Sequence, residues 1–344
     1  MSPIPKDIPL PLPAPEPFLV VLLVAFFLLH IFFVNLMVGG SLLTVFYQIK
    51  GLKDVRYDRL AHEIANTITV NKSLAVVLGV GPLLAINTLY TVYFYTANAL
   101  TGSAWLAIIP LVTMAFVLTY VHKFCWEKMA THRRMHIAIA VCAAGLFLFI
   151  PLIFLANINL MLFPERWTEV QGFFSALLLP NVLPRYLHFL LACLALTGLF
   201  IVWLMRRATP ERLTTLGMER SEVIRLGYRW AFVPTLLQFL VGPLVMLTLP
   251  PDGLTGRVIA TILTGAMIAL PALILMYGET RSAPATIGRR FWPVVLLISC
   301  TVLFMASGRH IYREASLADH REKVKAKTAQ YMRAIEQTAK QAAP

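Results

Sequence analysis

Charge is scarce in this chain of 344 residues. Asp, Glu, Lys and Arg make up 14% of it, and the acidic residues number 17 against 30 Lys and Arg. A soluble globular domain carries about a quarter of its residues charged, so that class is excluded. Cysteine is equally sparse. Cys125, Cys142, Cys193 and Cys300 form neither a CxxC pair nor a CxxCH haem-attachment site, and they read as small core residues. The opening MSPIPKDIPLPLPAPEP lacks a basic n-region and a small-residue cleavage site, so no cleaved signal peptide is expected. Neither an internal repeat nor a soluble domain stands out.

What the chain has in abundance is apolar length. It is 58% hydrophobic, its mean hydropathy is +0.72, and the apolar residues come in blocks long enough to cross a layer of roughly 30 Å. Windows at 18–46, 73–96, 104–125, 136–162, 184–205, 228–249, 257–278 and 291–312 predict an all-α integral membrane bundle of about eight transmembrane helices. The proline-rich segment 1–17 precedes it, and a basic helical tail 313–344 follows. Lys50, Lys53, Arg56 and Arg59, then Lys128, Arg133 and Arg134, then Arg206, Arg207, Arg212, Arg220 and Arg225 fill alternate loops. Those loops are expected in the cytoplasm, with TANALTGS, FPERWTEVQGFFSALLLPN and LTLPPDGLTGR outside. Both termini are then extracytoplasmic in a bacterial inner membrane. The formal charge of +13 sits in loops and tail, which points to a bilayer and not to nucleic acid.

An ionisable or metal-ligating side chain deep in a span is costly, and so is a functional candidate. His30, in LLHIFFVNLMVGGSLL, lies about 18 Å from the outer end of its span. Two readings stay open for it, iron ligand or hydrogen-bonded packing residue. The Gly39-Gly40 pair that follows allows close approach of a helix or a flat ring. His188, in NVLPRYLHFLLACLALTG, sits near the outer end of the fifth span with Arg185 one turn earlier. An imidazole binds haem iron, and a guanidinium pairs with a propionate. Met267, Met305 and His310 are the candidates for further axial ligands. His62, His122, His132 and His136 lie among Lys and Arg, and are expected to be solvated or lipid-facing.

These segments resemble subunit I of the cytochrome bd quinol oxidase superfamily. The likeness is carried by the H-x-x-F-V-x-L-x-x-G pattern at His30, by ANINLMLFPERW, and by LPRYLHFLLACLALTG around His188. It implies that His30 ligates the haem of an active site, and that His188 and Met267 share a low-spin haem b. Ala306-Ser307-Gly308-Arg309 resembles the family's E-x-G-R motif, which adds Arg309 to the cofactor-binding set. Ala306 stands where the family has an iron-ligating glutamate, leaving Met305 or His310 to substitute. The third span also lacks the family's two acidic residues, and the quinol-binding loop is reduced to LTLPPDGLTGR.

The expected function is therefore a multi-haem b membrane cytochrome, with another haem type possible at His30. It would pass electrons between an extracytoplasmic c-type cytochrome and a quinone pool or companion membrane subunit. A bd-like terminal oxygen reductase and a haem-free anchor or assembly subunit are the alternatives. No catalytic residue is assigned.

Overall fold

A computed structural model describes the backbone of residues 12–342, without the side chains at 68–72, 339, 340 and 342. Most of the proline-rich segment 1–17 and the last residues of the tail thus lie outside the described residues. The chain is all-α: α1 (Glu16–Gly51), α2 (Val55–Leu89), α3 (Thr91–Thr101), α4 (Ser103–Phe124), α5 (Arg133–Leu160), α6 (Phe173–Leu177), α7 (Val182–Arg206), α8 (Pro210–Leu216), α9 (Arg220–Leu247), α10 (Gly256–Arg281) and α11 (Phe291–Ala342). Seven of these are long and apolar enough to cross a membrane. The pair Ser73–Leu89 and Thr91–Thr101, bent by 112°, brings the number to eight.

That bent pair corrects the second expected span. Hydropathy joins residues 73–96 into one rod, whereas the helix breaks at Tyr90 (φ −132°, ψ 39°) and α3 turns away. TANALTGS, expected as a loop, begins inside α3, which ends at Gly102 in a positive-φ conformation (φ +53°). The first expected cytoplasmic loop is also mostly helix. Asp54 caps α2 by accepting the Arg56 N–H at 3.0 Å. Hydrogen bonds from Arg56 hold the Asp54 carboxyl below the usual carboxylate value.

The bundle is built of antiparallel pairs, α1 with α2, α4 with α5, α7 with α9 and α10 with α11. α1 is central, packing on α2, α5 and α7. Without side chains at key positions the backbones close up. A Cβ on Gly39 of α1 would lie 2.2 Å from the Cys193 carbonyl oxygen of α7. Gly198 of α7 and Gly227 of α9 meet each other's backbone at 2.6 and 2.8 Å in the same sense. Small residues at crossings are how helices pack where no hydrophobic force joins them. Outward, large apolar side chains stand bare, among them Leu106, Ile109, Leu240 and Leu247 at 71–81% exposure. That is a surface for lipid, not water. α11 runs unbroken past its apolar part into the basic stretch expected as the tail.

Candidate functional site

His30 is held where α1 meets α2. Its Nδ1 lies 2.8 Å from the carbonyl oxygen of Ala75, and a carbonyl only accepts, so Nδ1 carries the hydrogen. Nε2 is left with its lone pair. A metal-ligating histidine is oriented in this way, with one ring nitrogen donating to a backbone carbonyl and the other binding the metal. Gly79 makes room for the ring, since a Cβ there would stand 2.9 Å from His30 Cε1.

The start of α7 is fixed from three sides. Asn181, in the left-handed conformation (φ +73°), donates to the Val245 carbonyl at 2.6 Å and to Thr248 Oγ1 at 2.9 Å. Asn159 of α5 donates to the Pro180 carbonyl at 2.8 Å and accepts from Arg185 at 3.3 Å. Asn157, two residues earlier, ties α5 to α3 through Asn98 at 2.8 Å and Thr101 at 3.1 Å. The ANINLMLFPERW segment therefore positions α7. One turn after Arg185, His188 has its Nδ1 buried without a hydrogen-bond partner among the described residues.

α11 contributes the rest. Arg309 lies 5.6 Å from the ring of Phe27, one turn before His30 on α1. Arg313, one turn further on, lies 5.0 Å from the ring of Tyr90 at the break between α2 and α3. Arg185, Arg309 and Arg313 are within electrostatic reach of one another. None of the three joins an ion pair among the described residues; the carboxylate nearby, Glu314, is taken by Arg321 at 2.9 Å and by the Tyr90 hydroxyl. Three uncompensated guanidiniums in a low-dielectric bundle form a place for an anionic group. His310 has its Nδ1 buried without a partner, like His188. Met305 packs with its methyl against Gly265 of α10, where a Cβ would lie at 3.2 Å.

Met267 is 64% exposed on α10, a helix that packs on α9 and α11. One expectation needs correction. His122 and His136, expected to be solvated or lipid-facing, are each 3% exposed and hydrogen-bonded through Gln48. Sequence reasoning also passed over Arg313 and Tyr90. The i, i+4 spacing of Arg309 and Arg313 was the available signal, because it places both on one face of α11. His62 is half-buried, stacked on Trp126 at 4.5 Å, and burial holds its imidazole below the usual value against the pull of Asp58.

Comparison with solved structures bears on this arrangement. A chain of the bd oxidase from Geobacillus thermodenitrificans superposes with a TM-score of 0.65 over 94% of this chain and 96% of its own. The fold is bd oxidase-like. Sequence identity is 12%, so the likeness is one of architecture, and it does not distinguish one subunit type from another. No protein-family model matches the sequence, and no curated protein matches it.

Proposed function

We propose that the chain is a haem-carrying electron-transfer subunit of a respiratory complex in the bacterial inner membrane. The observation that carries this is the pairing of oriented or orphaned imidazoles with unpaired guanidiniums. His30 offers Nε2, the Nδ1 atoms of His188 and His310 are buried without partners, and Arg185, Arg309 and Arg313 lack counter-charges. That donor set fits haem, an iron-centred dianion. His30 and His188 would ligate iron in two haems, at least one of them haem b, with His310 or Met305 as a further ligand. The three arginines would hold propionates. When bound, haem supplies a one-electron couple. The protein fixes its orientation, its ligand tautomers and the positive field around it.

As a bd-like subunit I relative, the chain relays electrons between an extracytoplasmic c-type cytochrome and a quinone pool or companion membrane subunit. Both termini face the outer side. Relay is favoured over oxygen reduction because Ala306 offers iron no ligand, and because α4 contains no acidic residue to deliver protons. Quantifying haem and iron per purified chain tests the proposal. About two reducible haems per chain support it. A spectrum without haem overturns it in favour of a haem-free anchor.

A further inference from the structure

A second polar cluster lies at the opposite end of the bundle, where α4 turns into α5, the side that the loop charges assign to the cytoplasm. His122 of α4 and His136 of α5 stack at 4.1 Å, closed off by the edge of Trp126 at 4.9 Å from each. Gln48 of α1 bridges them. His122 Nε2 lies 3.1 Å from Gln48 Oε1, and Gln48 Nε2 lies 2.7 Å from His136 Nδ1. His136 Nε2 lies 2.7 Å from the His122 carbonyl.

These contacts fix every proton in the cluster. The Gln48 oxygen accepts, so His122 Nε2 carries hydrogen; the Gln48 amide donates, so His136 Nδ1 does not; the His122 carbonyl accepts, so His136 Nε2 does. The remaining nitrogen is His122 Nδ1, which no hydrogen bond reaches among the described residues. His122 also lines a cavity of about 20 Å³ with Ser41, Thr44, Thr119 and three alanines. That volume holds one water, and Thr44 Oγ1 beside it is buried and unpartnered. Among the buried described residues, the histidine and carboxylate side chains are His122, His136 and Glu279. Glu279 is committed to the backbone N–H groups of Gly288 and Arg290.

We infer that His122 is a proton-loading site, taking a proton at Nδ1 from water on the α4–α5 side when the bundle gains an electron. The inference rests on the haem reading above. An electron added to a haem in a low-dielectric bundle is stabilised by a compensating proton, and intramembrane histidines serve such relays. Gln48 is 18 residues from His30 on α1, five full turns, so both lie on the same face about 27 Å apart. Thr44 and Ser41 share that stripe. The groups facing His122 are Gln48, Thr44 and Ser41 from α1, His62 from α2 and His136 from α5, with Asp58, Lys123 and Glu127 around His62.

The test is spectroelectrochemical titration of the haem midpoint potential between about pH 5 and 8, on the full chain in lipid nanodiscs. The potential of the native protein falls as pH rises, and His122→Phe loses most of that slope. Gln48→Glu sets a carboxylate beside the imidazole and moves the pH dependence up by about one unit or more. It also gives the answer if His122→Phe does not fold. A slope unchanged in His122→Phe, or a Gln48→Glu curve that stays in place, overturns the inference and leaves the haem reading standing. So does a lowered melting temperature with an unaltered slope, the mark of a helix clamp. A chain without haem overturns both.

Discussion

The imidazole of His30 donates from Nδ1 to the carbonyl oxygen of Ala75, 45 residues away and on the neighbouring helix. The bond joins α1 to α2 and presents Nε2 as an acceptor. It depends on Gly79, the only residue type that leaves space for the ring at that crossing.

Gly79→Ala is therefore expected to disturb His30 more than its size implies. The new Cβ stands 2.9 Å from the imidazole, and overpacking of this kind costs about 1–3 kcal/mol. Thermal unfolding in detergent measures the cost. On the proposed haem reading, the spectral component assigned to His30 changes in the same variant, while the component assigned to His188 stays as it was.

The three arginines give a prediction with two signs. Arg313→Gln removes one of three like charges, so the chain stripped of haem melts higher than the native one. The same variant retains less haem through purification, because a counter-charge for the anionic group is gone. Equal haem retention in both proteins contradicts the assignment of the cluster.

Where α7 crosses α9, Gly198→Val is expected to cost about 3 kcal/mol or more, because a Cβ there meets the Gly227 carbonyl and the Ala231 nitrogen within 2.6 Å. The loss is read as lower yield and melting temperature. Cys142→Ser, on an exposed position of α5, serves as the control and changes neither.

Below the bundle, His62 makes the fold sensitive to acid. Its folded value lies below the ordinary 6.5, chiefly through burial. The unfolded chain therefore binds a proton first as pH falls. The contribution of this residue is present above 6.5 and is lost as pH drops through the folded value. A melting-temperature series against pH shows a shallower acid fall in His62→Phe than in the native protein.

How much of this was legible in the sequence follows from what each signal measures. Long apolar runs reveal helices that cross a membrane, because lipid contact imposes composition directly. Direction is not encoded there, which is why the break at Tyr90 was read as a continuous span. His30 and His188 were visible because a polar ring in an apolar run is conspicuous by itself. His122 and His136 were hidden by Lys123, Arg133 and Arg134, neighbours in sequence that share none of their burial. Their surroundings exist only once α4 and α5 close as a hairpin and α1 supplies Gln48.

The most direct test of the central claim is the pyridine haemochrome spectrum, with haem quantified per chain, of the native protein, His30→Ala and His188→Ala. The account predicts haem b in the native chain and the loss of about one haem in each variant, with different spectral components missing. Unchanged haem content in both variants, or no haem in the native chain, would contradict it.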